Sequence, residues 1–153
     1  MYIFECSIKI NALPKVVFDF HTNVENIIKI TPPEIKVTII HAYPPMQEQE
    51  VIPRVKQFGI FSSTMHMKFI EFNPPHILSD KQINGIFKSL FQRRTFTKQS
   101  DGNTLLTDRF EYELPFGFIG KFAHELFIRK IIGKVFEYRQ ETTKKLIETG
   151  NEV

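Results

Sequence analysis

The chain has no tryptophan and one cysteine, Cys6. A single cysteine excludes an internal disulfide and any metal site built on cysteines. No uninterrupted apolar run approaches the ~20 residues of a membrane span. Glu5 interrupts what would have to be a basic and then apolar leader, so no secretory signal is expected and the chain reads as cytoplasmic. Gly-x-Ser-x-Gly, Gly-x-Gly-x-x-Gly and phosphate-loop patterns are all missing. The histidines (His21, His41, His66, His76, His124) are scattered without metal-ligand spacing. Neither a metal nor a cofactor is expected. The net charge of +3 is mild, and no basic run is interleaved with aromatics, so nucleic acid is not an expected partner.

Basic residues gather only near the C-terminus, where Lys121, Arg129, Lys130, Lys134, Arg139, Lys144 and Lys145 fall between apolar positions. They read as the solvated face of an amphipathic helix. Attraction to an anionic membrane surface is the alternative.

What the chain does have is phenylalanine, 16 in 153 residues. Phe brings large apolar area with no polar atom to satisfy. Such a surplus suits either a Phe-rich core or the wall of an apolar cavity. The length suits one domain, residues 1–153, with no linker or repeat.

Tyr2 to Ile10 alternates as a strand. Pro14 suits a first helical turn, with Val17, Phe20 and His21 on one face of a short helix. Thr22-Asn23-Val24-Glu25 fits a capping box that opens a second short helix, stopped by Pro32-Pro33. From Glu34 the period is two, giving strands near 34–41, 48–58, 60–72, 76–83, 86–98 and 104–114. The breaks carry turn chemistry: Asn73-Pro74-Pro75, Asn84-Gly85 and Asp101-Gly102-Asn103. After Pro115-Phe116-Gly117 a helical pattern runs from about 118 to 147. Its apolar positions include Ile119, Phe122, Ala123, Leu126, Phe127, Ile131, Val135 and Tyr138. The order β-α-α-β6-α predicts an α+β fold in which a seven-stranded, curved antiparallel sheet wraps the long C-terminal helix.

Inward faces follow from alternation. Between Phe61 and Phe72 the odd positions Phe61, Met65, Met67 and Phe69 are apolar, whereas Ser62, Thr64, His66 and Lys68 are polar. If Gly102 takes the left-handed position of a three-residue loop, opposed residues in the last hairpin sum to 202. Leu90 then faces Tyr112, Gln92 faces Phe110 and Arg94 faces Asp108. Arg94 and Asp108 land on the apolar face, where each needs the other. They form either an internal structural pair or the polar end of a ligand cavity. Asp80 and Gln82 are weaker candidates, because the Asn84-Gly85 turn leaves their face ambiguous.

The order of elements combines with Pro14-Lys15-Val16-Val17-Phe18-Asp19-Phe20, Asn73-Pro74-Pro75, Asp80-Lys81-Gln82, Asn84-Gly85-Ile86-Phe87 and Asp108-Arg109-Phe110-Glu111-Tyr112-Glu113-Leu114-Pro115-Phe116-Gly117. Together these resemble the bacterial SRPBCC proteins, the START-like, pollen-allergen-like helix-grip superfamily that includes polyketide cyclase/dehydrases and lipid-binding domains. The stretch Phe136-Glu137-Tyr138-Arg139 inside the last helix adds to the likeness. Many relatives carry an aromatic and two histidines where Leu90, Gln92 and Arg94 stand, which counts against acid–base chemistry there.

The resemblance implies a deep cavity for a small hydrophobic ligand such as a lipid, isoprenoid or aromatic polyketide. Phe61, Met65, Met67, Phe69, Leu90, Phe110, Phe122 and Leu126 are expected to line it. Gln92, Arg94, Asp108 and Tyr112 are expected at its polar groups. An enzyme of cyclase/dehydratase type, with Asp108 as acid or base and Tyr112 as proton donor, is the alternative. A protein-interaction module with a closed interior is the third. The oligomeric state is left open.

Overall fold

The computed structural model describes residues 1–42, 46, 48–57, 61–115, 117 and 127–150, with the side chains at 56, 57 and 61 outside that description. The first strand, β1, spans Tyr2–Ile10, followed by helices α1 (Pro14–Thr22) and α2 (Asn26–Lys29). Seven strands come next: β2 (Ile35–Ala42), β3 (Glu50–Gln57), β4 (Phe61–Thr64), β5 (His66–Asn73), β6 (Ile77–Asn84), β7 (Ser89–Lys98) and β8 (Thr104–Glu113). The last helix, α3, spans Arg129–Thr149. One antiparallel sheet has the order β1-β8-β7-β6-β5-β3-β2, with β4 paired to β3. This is the expected helix-grip arrangement.

The expected strand over 60–72 is divided into β4 and β5. Pro53 explains the break. Both segments pair with β3 in the same register, Arg54 opposite Thr64 and Val51 opposite Met67. Between them the Met65 N–H donates to the Pro53 carbonyl at 2.9 Å, but proline has no N–H to return. A second irregularity, between Phe69 and Glu71 on β5, shifts the alternation. Phe69 faces the core, and so does Phe72, whose ring meets Phe18 at 5.4 Å.

Other expectations need correction. The capping box at Thr22–Glu25 does not form. Thr22 donates its hydroxyl back to the Asp19 carbonyl at 2.8 Å, and the Asn23 side chain accepts the Glu25 N–H at 3.0 Å. Asn84-Gly85 does not make a two-residue hairpin either, because residues 85–88 all lie outside the strands. Gln82 straps that loop, donating to the Phe87 carbonyl at 2.7 Å. By contrast the last hairpin has the expected geometry: Gly102 sits at φ +84° and the pairs Leu90–Tyr112, Arg94–Asp108 and Phe96–Leu106 all form.

On α3 the buried residues are Ile132, Phe136, Gln140 and Thr143. The expected stripe is therefore rotated: Phe127, Ile131 and Tyr138 are exposed. Spacings of four, four and three put the buried set on one face, but half of it is polar. Hydrophobicity alone therefore points to the neighbouring stripe. Residues 118–126, which include Phe122 and Leu126, fall outside the described part of the chain, as does the Phe61 side chain.

Two apolar clusters hold the grip together. One joins Ile10, Val17, Phe18, Leu78, Phe96 and Leu106 beneath α1. The other joins Leu90, Phe110, Tyr112, Ile132 and Phe136 beneath α3. Phe136 is the keystone of the second, with Phe4 at 5.4 Å and Phe110 at 5.2 Å.

Candidate functional site

Sheet and helices line a cavity of about 540 Å³, within the range of small-molecule sites, roughly 300–1,000 Å³. Met65, Met67, Phe69, Leu90, Gln92, Arg94, Asp108 and Phe110 all line it. Tyr112 is not among the lining residues. It is packed behind the wall, with Phe110 at 5.3 Å, Phe87 at 5.7 Å and Tyr2 at 5.6 Å. Four residues along an extended strand also separate it from Asp108 by about 13 Å.

The polar part of the wall arises from two adjacent rows of cross-strand partners. One row runs Cys6–Asp108–Arg94–Leu78 and the next Phe110–Gln92–Asp80–Phe69. Arg94 thus lies directly opposite Asp108 and diagonal to Asp80, within reach of both. Its Nη1 is 3.1 Å from an Asp80 oxygen and its Nε 3.4 Å from an Asp108 oxygen. α3 completes the arrangement: Gln140 donates to the other Asp108 oxygen at 2.9 Å and to the Cys6 carbonyl at 3.2 Å. Gln92 adds a longer bond to Asp108 at 3.4 Å. Both Asp108 oxygens are therefore engaged.

Burial shapes the ionisation of this cluster. It pushes the Asp80 carboxyl above its usual range, with the Arg94 charge opposing. His21 is held down to about 4 by burial and by Arg94, so its ring is neutral near pH 7. Burial, and next the Arg94 charge, bring Arg139 down to about 10, which leaves it charged. The Cys6 thiol is pushed up to about 12 by burial and the Asp108 charge, which makes it a poor nucleophile.

Several of these groups are not apparent in the sequence. Asp80 was ambiguous because the length of the Asn84-Gly85 loop was not fixed. Gln82, its companion, turns away to Phe87. Arg139 was expected on the solvated face of the helix, yet it is half-buried and lines the cavity, as do Gln140 and Thr143. His21 lines it too, with its Nδ1 at 2.8 Å from the Val17 carbonyl. The only signal for the helix residues was the spacing of 132, 136, 140 and 143. Among the described residues no group of three His, Cys, Asp or Glu is placed to hold a metal ion. Nor is any described helix long and apolar enough to cross a membrane.

No protein-family model and no curated protein matches the chain. Solved structures do. The chain is similar to protein TTHA0849 from Thermus thermophilus, with a TM-score of 0.80, 13% identity, and coverage of 99% of this chain and 100% of that one. It is similar to the Zhui aromatase/cyclase from Streptomyces sp. R1128, at TM-score 0.75 and 16% identity over 96% and 93% of the two chains. It is also similar to major latex-like protein 151 of Panax ginseng, at TM-score 0.70 and 12% identity over 94% and 95%. The fold shared with these structures is the helix-grip fold.

Proposed function

We propose that the protein, acting as a single domain, binds a small hydrophobic molecule between sheet and α3, to carry or sequester it. The observation that supports this most is the cavity itself. Its walls are mostly aliphatic and aromatic with a minority of polar groups set among them, the pattern of a ligand pocket rather than of a packed core. Two adaptable methionines, Met65 and Met67, beside Phe69 and Phe110 suit a ligand of irregular shape. Lipid, isoprenoid and aromatic polyketide bodies all fit that description.

Cyclase or dehydratase chemistry in the same cavity receives less support. Asp108 is held by Arg94, Gln140 and Gln92, and Tyr112 stands behind the wall. Catalysis by that pair has no geometry to rest on.

Met67→Trp places an indole in the cavity. A neutral naphthalene dye that brightens in apolar surroundings should bind the native protein and lose at least tenfold in affinity to this variant. Equal binding by a folded Met67→Trp protein would contradict the proposal.

A further inference from the structure

Among the described residues the cavity wall carries two cations and two carboxylates, but their pairing is uneven. Arg94 takes both Asp80 and Asp108. Arg139, on the opposite wall, has no carboxylate within 4.0 Å among the described residues, and its Nε is buried without a hydrogen-bond partner. Its guanidinium carbon lies 5.7 Å from the centre of the Phe136 ring, a contact that orients the group but does not neutralise it. His21, the other basic group on the wall, is neutral. One helical turn beyond Arg139, the Thr143 hydroxyl is likewise buried and unpartnered, and Thr143 also lines the cavity. An uncompensated buried charge is costly, and a buried donor without an acceptor adds to that cost. Two unmet donor groups one turn apart on one helix face match the two oxygens of a carboxylate.

We propose that Arg139 and Thr143 form an anion subsite for the carboxylate of an amphiphilic ligand whose apolar body fills the rest of the cavity. The inference rests on the ligand-binding reading above and adds the ligand's head group to it. The pairing favours a monoanion: one guanidinium lacks a contacting carboxylate, whereas a dianionic phosphate would bring two negative charges beside the two carboxylates already held by Arg94.

The test is displacement of the neutral dye by dodecanoate, methyl dodecanoate and dodecanol at pH 8, with thermal melting to confirm folding. The native protein should bind the acid at least tenfold more tightly than the ester or the alcohol. In Arg139→Met the ratio of acid to ester affinity should fall to about one, and in Thr143→Val it should fall several-fold. Lys130→Met removes an exposed charge from the same helix outside the cavity and should leave the ratio unchanged. If acid and ester bind the native protein alike, or if Arg139→Met keeps the preference, the subsite is overturned while the cavity reading stands. If neither dye nor amphiphile binds, both fall. Should Arg139→Met fail to fold, the acid-to-ester ratio of the native protein and that of Thr143→Val decide the matter.

Discussion

At His21 the imidazole Nδ1 faces a carbonyl oxygen 2.8 Å away, so that nitrogen carries the proton and Nε2 is left as an acceptor. The ring meets Phe96 at 5.4 Å and Phe20 at 5.6 Å, edge to face, in surroundings that oppose a second proton. Its folded value of about 4 lies below the ~6.5 of an unfolded histidine. The unfolded chain therefore binds the proton first. This contribution to stability is complete above about pH 6.5 and is lost as pH falls towards 4, by up to about 3 kcal/mol. Asp80, with its carboxyl raised, acts in the opposite direction: its contribution is present at low pH and fades as the group ionises. Comparing native protein with His21→Phe cancels the Asp80 part. Denaturant unfolding at pH 7 and pH 4.5 should show a stability loss on acidification that is smaller in the variant; identical losses would contradict the buried neutral ring. The sequence offered little at this scale. A histidine on the apolar face of a nine-residue helix looks the same whether it meets a core or a cavity.

Among the elements, the best-read was the last hairpin and the least-read was the helix that faces it. The three-residue loop closing on Gly102 left one register, and in that register Arg94 had to meet Asp108. Helix α3 gave no comparable constraint. Its inward stripe carries Gln140 and Thr143 because they face the polar cluster, so the more hydrophobic stripe containing Ile131 and Tyr138 was the natural but mistaken choice. Pro53 interrupted the pairing of a strand whose alternation was otherwise correct. The loop over 85–88 was hidden for another reason: Asn-Gly signals a tight turn, but the Gln82 side chain stabilises a wider one by bonding to Phe87. Removing that side chain with Gln82→Ala should lower stability by about 1 kcal/mol, read as a shift in the unfolding midpoint. Ligand affinity should change little, since Gln82 does not line the cavity. A loss of binding without a loss of stability would contradict the assignment of Gln82 as a loop strap.

For the whole molecule, eight of the described phenylalanines divide between two uses. Phe18, Phe72 and Phe96 pack the core beneath α1, whereas Phe20, Phe69, Phe87, Phe110 and Phe136 face the cavity. Composition alone could not separate them, because core and cavity wall need the same side chain; only the topology distinguishes the two. The fold and the strand-borne part of the site were legible from period, turn chemistry and register. The helix-borne part was not, because it is a polar surface turned inward. Native mass spectrometry of the protein as purified, followed by denaturing extraction, tests the central claim most directly. The account predicts a bound apolar molecule that leaves on denaturation and is absent from Met67→Trp. A mass equal to the bare chain, together with no uptake of the neutral dye, would show that the interior does not bind ligands and would contradict it.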